Sequence, residues 1–295
     1  MPVVRDHYGP PLQTLTKLPP RADGIRFWWL GQAGFAVEAF GTRILIDPYL
    51  SDSLAEKYRG RLFPHIRLHP APIEASTLVG ISAVLHSHGH TDHLDGDTIR
   101  ALAAANAALH VAPRAVKSVA LERGIPADHL LGVTAGDRVQ LSDQISVEAL
   151  PSAHETLEQD EAGDYRSLGY VIDLGGTRIY HSGDCVPYEG LAESLRAADV
   201  HVALLPINGR DEYRSSNGVP GNFTIAEAVE LTRAAGIPSL VGHHFGLFDF
   251  NTIDPDAARE HLRVHASDLD WTLPSVGLTY RINATNYLSG GSNDR

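Results

Sequence analysis

Short apolar runs separated by glycine and polar turns recur along this chain. IRFWWL, FAVEAF and TRILID follow one another between Ile25 and Asp47, with a Gly-Gln-Ala-Gly turn after the first and a Gly-Thr turn after the second. VQLSDQISVEAL and LGYVIDLGGTRIYHS repeat the pattern farther along. Strand, turn and strand in this order predict β-hairpins.

Helical stretches alternate with single apolar runs elsewhere. Helices are predicted in GDTIRALAAANA, RAVKSVALERG, YEGLAESLRAA and TIAEAVELTRAAG, and in the last of these Thr224 and Glu227 have the spacing of a capping box. ISAVLHS, LHVAP, VHVALLPI and IPSLVGHH are predicted strands. Residues 51–77 and 208–222 are predicted loops, the first with room for one short helix.

The tetrad Gly-Thr-Arg-Ile occurs twice, at Gly41 and at Gly176, each time inside a strand–turn–strand pattern. Four matching residues can arise by chance, but two β-rich halves indicate two sheets packed face to face, with helices over their outer faces. The proline-rich residues 1–23 are predicted to form an arm, 24–287 a single domain, and 288–295 a disordered tail.

The formal net charge is −12 over 295 residues, and no run of Lys and Arg occurs. This argues against a general nucleic-acid-binding surface but leaves room for a small anionic substrate held by a few Arg residues. With Cys185 as the single cysteine no intramolecular disulfide can form, which fits a reducing compartment. Because neither a signal peptide nor a ~20-residue apolar run is found, we expect a cytoplasmic protein without membrane contact.

The stretch HSHGHTDHLD, directly after the predicted strand ISAVLHS, carries the densest chemistry. His88, His90, Asp92 and His93 are spaced in it as His-x-His-x-Asp-His. Imidazole nitrogen and carboxylate oxygen suit Zn, Mn or Fe(II), and loops at strand ends collect functional residues. The alternative is a solvated polar loop. His86 is expected to be a hydrogen-bonded core histidine.

Two metals need more ligands than this loop supplies. His154 in LPSAHE, Asp184 in YHSGDC, and His243 or His244 in LVGHHFGLF each follow a predicted strand. Strand ends converging from two sheets would bring these residues to the loop and complete one dinuclear centre. His181 is left open between core and site, and Cys185 is expected to be packed and unreactive.

The motif His-x-His-x-Asp-His, a later lone His, an Asp in Ser-Gly-Asp and a His after a strand resemble the metallo-β-lactamase superfamily. WWLGQAGF, SHGHTDHLD, YHSGD and HHFGLFDFNTIDP are further similar to the branch containing L-ascorbate-6-phosphate lactonase. The resemblance runs from about Ile25 to about Pro255. It implies an α/β fold, a four-layer αββα sandwich of two mixed β-sheets flanked by helices.

The resemblance also implies a ligand set. For the first metal it implies His88, His90 and His154, for the second Asp92, His93 and His244, and for the bridge between them Asp184. His244 is preferred to its neighbour because it fits the spacing His-x-Gly-x-aromatic, and neighbours on an extended strand face opposite ways. His243 is then expected in the core or facing the substrate.

By this resemblance the chain is a metal-dependent hydrolase. A hydroxide bridging two ions, Zn or Mn with Fe also compatible, would attack a small-molecule ester, either a lactone or a phosphoester. Asp92 and Asp184 are the expected catalytic carboxylates, one exchanging the proton and the other setting the metal spacing. His90 stands where diiron-flavin members carry a carboxylate, which favours hydrolysis over redox chemistry. The same branch suggests a homo-oligomer.

Further polar residues follow predicted strands. Asp47 is expected either to hydrogen-bond a ligand histidine or to form the turn before Pro48. Residues placed near the substrate, with loop solvation as the alternative, are Tyr188, Asn208, Arg210, Arg214 and Asn222.

Two other functions compete with a small-molecule hydrolase. A nuclease acting on phosphodiesters could use the same fold, although the acidic charge and the lack of a basic run count against it. A non-catalytic binding or scaffolding member is the other alternative, and the near-complete ligand set counts against that.

Overall fold

The computed structural model describes residues 3–6 and 9–283. The strands in this part of the chain are β1 (Val3–Arg5), β2 (Ile25–Gly31), β3 (Gly34–Ala39), β4 (Thr42–Ile46), β5 (Ile81–Leu85), β6 (Leu109–Pro113), β7 (Leu130–Val133), β8 (Arg138–Ser142), β9 (Ile145–Pro151), β10 (Leu168–Leu174), β11 (Thr177–His181), β12 (Val202–Pro206), β13 (Ser239–His243), β14 (Asp270–Thr272) and β15 (Thr279–Ile282). The helices are α1 (Ser53–Lys57), α2 (Gly96–Ala103), α3 (Lys117–Glu122), α4 (Leu191–Ala197), α5 (Glu212–Ser216), α6 (Ile225–Ala234) and α7 (Pro255–His265). Short 3-10 turns span Leu12–Thr16, Ala75–Thr77, Arg114–Val116 and Ala127–His129.

The strands form two mixed sheets. Eight strands lie in the order β1-β15-β2-β3-β4-β5-β6-β7, and seven lie in the order β14-β13-β12-β11-β10-β9-β8. Helix α3 contacts β6 and β7 of the first sheet, and α6 contacts β12 and β13 of the second. The predicted fold class, an α/β sandwich of two mixed sheets flanked by helices, is confirmed.

Strand β2 shows why the eight-stranded sheet lies inside the molecule. Phe27 and Trp29 belong to the large core that also includes strands of the second sheet, whereas Trp28 and Leu30 belong to a separate core on the opposite face. Successive side chains of a strand point to opposite faces, so a sheet covered on both sides is apolar at every position. The indole Nε1 of Trp28 donates to the carbonyl of Pro10 at 3.1 Å. The N-terminal segment therefore covers this outer face.

The two Gly-Thr-Arg-Ile tetrads form equivalent turns in different sheets. One connects β3 to β4 and the other connects β10 to β11, both antiparallel pairs. Gly41 and Gly176 have φ of +75° and +91°, a backbone region that favours glycine. The prediction of two sheets, drawn from this repeat, is confirmed, and one tetrad lies in each sheet.

The directions of the strands bring the predicted site residues to one edge of each sheet. Strands β4, β5 and β6 run parallel to one another, as do β11, β12 and β13. Strand β9 is antiparallel to β10, which is antiparallel to β11, so β9 and β11 share a direction. Parallel strands end at the same edge of a sheet, where polar loop residues then meet.

Several elements carry weak sequence signals and were not predicted. Helix α7 begins at Pro255 and buries only Ala258 and Leu262, so its apolar stripe is short. Strands β14 and β15 have three and four residues. Helix α5 lies within the predicted loop 208–222, and that prediction is wrong for its five residues.

The N-terminal segment belongs to the sheet. Strand β1 pairs antiparallel with β15, while Leu12 and Leu15 are buried in the outer core. The boundary at residue 24 stays a prediction, and the predicted tail 288–295 lies outside the described residues, as do residues 284–287. Of the helices in the described segments, none is both long and apolar enough to cross a membrane.

Candidate metal centre

The first predicted ligand set comes together at the strand ends. His88 follows β5, His154 follows β9, and both lie within 4.8 Å, ligand atom to ligand atom, of each other and of His90. His90 Nδ1 is 3.0 Å from His154 Nε2. Three imidazole ligand atoms at these distances could bind a single metal ion.

The second set lies beside the first. Asp92, His93 and His244 form another group with mutual distances within 4.8 Å. Asp184 Oδ1 lies 3.3 Å from His93 Nε2 and 3.1 Å from His244 Nε2. Asp184 also groups with His88 of the first set, so this carboxylate stands between the two sets.

Asp47 supports this arrangement from beneath. His93 Nδ1 donates to Asp47 Oδ2 at 2.7 Å, and the backbone amide of Ser87 donates to Asp47 Oδ1 at 2.7 Å. Because Nδ1 is bound to Asp47, Nε2 of His93 faces Asp184 and is the atom available to a metal, the arrangement typical of metal-ligating histidines. Asp47 therefore hydrogen-bonds a predicted ligand histidine, and its φ of +42° places it in the turn as well.

Gln32 was missed by the sequence analysis. Its Nε2 donates to Asp92 Oδ2 at 2.9 Å and lies 3.1 Å from His244 Nε2. Gln32 is buried in the turn between β2 and β3 with a φ of +52°. A polar residue inside a glycine-flanked turn between two apolar strands was the available signal.

Unsatisfied polar atoms show that the site fits a cation. Buried side-chain atoms without a hydrogen-bond partner are rare in native proteins, yet several collect here. They are His88 Nε2, His93 Nε2, His154 Nδ1, His244 Nδ1 and Asp184 Oδ1. Nitrogen and carboxylate oxygen donors at this density suit Zn, Mn or Fe(II).

Burial keeps the imidazoles of His88 and His154 neutral, whereas Asp184, Asp92 and Asp47 outweigh burial at His93 and hold its pKa well above the usual range. Burial holds the pKa of His88 well below its usual range and lowers the pKa of His154 to about 4. Burial opposes ionisation of Asp184, but His244 and His93 outweigh it and hold the pKa of this carboxyl well below its ordinary value. Neutral imidazole and ionised carboxylate are the forms that bind metal ions.

Five of these ligands line a cavity of about 660 Å³, namely His90, Asp92, His154, Asp184 and His244. Asp92 and Asp184 are its only carboxylates in the described part of the chain, and the segment around α1 forms one wall. The lining residues are Leu54, Lys57, Tyr58, Arg61, Leu62, Phe63, His65, His90, Thr91, Asp92, His154, Asp184, Asn217, Gly218, Val219, Pro220, His244 and Asn251. Such a volume suits a small organic molecule.

The model of the beta-lactamase superfamily domain matches residues 42–245, which include every ligand described above. The chain belongs to the beta-lactamase superfamily. Two relatives are each described as a UPF0173 metal-dependent hydrolase. The protein from Aeropyrum pernix is 30% identical over 80% of this chain and 89% of its own length. That from Myxococcus xanthus is 28% identical over 85% and 81%. The chain is thus a metal-dependent hydrolase of this superfamily.

Solved structures show the same fold with different reactions. An isothiocyanate hydrolase from Delia radicum gut bacteria has a TM-score of 0.68 at 19% identity, over 86% of this chain and 98% of that one. CmlA, a diiron β-hydroxylase from Streptomyces venezuelae, has a TM-score of 0.64 at 15% identity, over 88% of this chain and 54% of that one. The superfamily fold alone therefore does not select the reaction.

Three residues flanking the superfamily ligands are core residues. His243 is buried, with its ring 5.1 Å from that of His181 and 5.4 Å from that of Phe35, so of its two expected places it takes the core and does not face the substrate. His86 Nδ1 donates to the carbonyl of His93 at 2.9 Å, as expected of a hydrogen-bonded core histidine. Cys185 is buried, and burial raises the pKa of its thiol to about 11, so it is packed and unreactive.

The structure also corrects the predicted substrate contacts, since none of them lines the cavity. The side chains of these residues instead form hydrogen bonds and ion pairs with residues that are distant in the sequence. Arg210 Nη1 pairs with Glu227 at 2.7 Å, and Arg214 Nη1 donates to Asn251 at 2.7 Å. Tyr188 donates to the carbonyl of Pro151 at 2.7 Å.

Asn208 and Asn222 are likewise committed to internal hydrogen bonds. Asn222 Nδ2 donates to Asn208 Oδ1 at 3.1 Å, and Asn208 Nδ2 donates to Asn251 Oδ1 at 2.7 Å. Asn222 Oδ1 accepts from the backbone amide of Cys185 at 2.9 Å. These amides therefore fix the loop next to Asp184 and do not face a substrate.

Proposed function

We propose that this chain is a dinuclear hydrolase of a small-molecule ester, either a lactone or a phosphoester. The observation that carries the proposal is the meeting of two ligand sets around one shared carboxylate, Asp184, at the floor of a cavity. Two divalent ions held there, Zn or Mn with Fe also compatible, would supply hydroxide near neutral pH and stabilise negative charge on the substrate.

The side chains around the cavity would have two roles, metal binding and proton transfer. The first ion would be held by His88, His90 and His154. The second would be held by the set around Asp92. Asp92 has one oxygen oriented by Gln32, and as a carboxylate facing the cavity it is positioned to accept a proton or pass one to the leaving group.

The cavity supports a small substrate. Its volume of about 660 Å³ lies in the range of small-molecule sites, and aromatic side chains form part of the wall. A small-molecule partner, a cytoplasmic location and a homo-oligomeric state stay predictions from the sequence.

A substrate panel tests the reaction class. Protein reconstituted separately with Zn and with Mn is assayed against a lactone, a phosphomonoester, a phosphodiester and RNA. We expect turnover of the lactone or a small phosphoester, lost in Asp92→Asn while metal-free folding is unchanged. Cleavage of RNA with strong salt dependence would instead support the nuclease, and no turnover with both ions bound would contradict the proposal.

A further inference from the structure

Two cationic side chains on the cavity wall lack a carboxylate partner among the residues that the structure describes. They are Lys57, the last residue of α1, and Arg61, and both line the cavity. All three basic residues of this segment are exposed, but Arg59, which lies between the other two in the sequence, pairs with Glu56 and does not line the cavity. In a chain with a net charge of −12, unpaired cations facing one cavity form a local attraction for anions.

Lys57 lies close to the metal-binding loop. Its Nζ is 3.3 Å from Thr91 Oγ1, and Thr91 stands between His90 and Asp92 in the sequence. An anionic group beside this ammonium would therefore lie next to the metal ligands. The ammonium is also 5.2 Å from the ring centroid of Tyr58, which keeps it against the wall.

The rest of this wall is apolar and aromatic. Tyr58 stacks on His65 with ring centroids 4.3 Å apart, and Phe63 stacks on Phe250 at 4.6 Å. Burial lowers the pKa of His65, so it stays neutral near neutral pH and adds no charge. Beside the stacked rings, Leu62 is 61% exposed, which offers contact area to an apolar group.

We propose that Lys57 and Arg61 form an anion-binding subsite that selects substrates carrying a carboxylate or phosphate next to an apolar or aromatic body. The inference rests on the proposed hydrolase function and names its substrate class. It assigns the anion to this wall, not to the arginines of the 208–222 loop, which are paired elsewhere.

Binding of two matched probes tests the subsite. Phenylacetate and its neutral counterpart phenylacetamide are titrated by calorimetry into zinc-reconstituted wild type, the double variant Lys57→Gln/Arg61→Gln, and the control Arg59→Gln. Exposed ion pairs contribute modestly, so the double variant should bind phenylacetate about two- to thirty-fold more weakly. Phenylacetamide binding and the Arg59→Gln control should match wild type. Raising the salt should weaken phenylacetate binding to wild type more than to the double variant.

Two outcomes would overturn the subsite. If the double variant binds phenylacetate as tightly as Arg59→Gln does, the metal ions alone attract the anion. If both probes weaken equally, the substitutions act on the shape of the cavity and not on charge.

A kinetic comparison separates this inference from the proposed function. For 4-nitrophenyl hydrogen glutarate the KM should rise in the double variant, while the KM for its neutral methyl ester should not. If wild type with two ions bound hydrolyses no ester of any kind, the proposed function fails, whatever the probe titrations show. If it hydrolyses both esters with equal KM and the variants do not differ, the subsite alone fails.

Discussion

Replacing Asp47 with Asn tests whether the centre depends on the carboxylate beneath it. Asp47 is fully buried, and its two oxygens accept hydrogen bonds from His93 Nδ1 and from the amide of Ser87, both at 2.7 Å. Asn keeps one acceptor and places an amide donor against a second donor. Either His93 changes tautomer and loses its free Nε2, or the ring turns away.

The size of the effect follows from the lost bond. A hydrogen bond to a charged group is worth about 1.5–3 kcal/mol, and loss of a carboxylate partner of a ligand histidine costs about 10–100-fold in metal affinity. We therefore expect Asp47→Asn to weaken the affinity for one of the two metal ions by about 10–100-fold, either the ion that binds more tightly or the ion assigned to His93. Competition with a chromophoric chelator measures both binding constants.

A second buried carboxylate provides the control. Glu38 pairs with Arg43 at 2.7 Å, both are buried, and neither is among the grouped metal ligands. Glu38→Gln should cost about 3–5 kcal/mol of stability, since it leaves a buried charge unpaired. It should leave metal affinity nearly unchanged. Unaltered affinity in Asp47→Asn, or an equal loss in Glu38→Gln, would refute the reasoning.

Three further predictions concern other parts of the chain. Asp184→Ala removes the shared carboxylate, so bound metal by mass spectrometry should fall below about half of the wild-type content with an unchanged circular dichroism spectrum; full metal content would contradict the assignment. Burial lowers the pKa of His110 to about 3, with His86 and His129 acting in the same direction. The unfolded chain takes up this proton near pH 6.5 and the folded chain only near 3. The free energy of unfolding should therefore decrease as the pH is lowered through this window, by up to about 1.4 kcal/mol per pH unit. Urea unfolding at several pH values should show a smaller slope in His110→Gln, and an equal slope would count against the burial argument. Thr224→Ala breaks the capping box at the start of α6 and should cost about 1 kcal/mol in the same assay, with unchanged metal content; no loss of stability would mean that the cap contributes nothing.

Local spacing made much of the site predictable. His88, His90, Asp92 and His93 lie within six residues after one apolar strand, and the chain cannot separate them by more than a loop. His154, Asp184 and His244 could be added because each follows a strand, and the ends of strands that share a direction meet at one edge.

The choice of His244 over its neighbour needed more than strand alternation. His243 ends β13, but His244 has a φ of +64° and has left the extended conformation. This turn, and not the pleat alone, directs the second ring toward Asp184. Of the two neighbours, it is His244 that the structure groups with Asp92 and His93.

Residues that depend on distant partners escaped prediction. Arg210 and Arg214 looked free in a polar loop, yet Arg210 pairs with Glu227 and Arg214 donates a hydrogen bond to Asn251. Lys57 and Arg61 lie in an irregular segment whose packing against the metal loop has no periodic signal. Burial and pairing across the fold decide which polar side chains remain available to a ligand. Spacing along the sequence carries no information about this pairing.

The most direct test is the metal content of the chain. Protein purified without chelators, reconstituted with Zn or Mn and passed through a desalting column, is analysed by inductively coupled plasma mass spectrometry. Two ligand sets that share Asp184 predict about two equivalents per chain. A wild-type content below about half an equivalent would contradict the dinuclear centre.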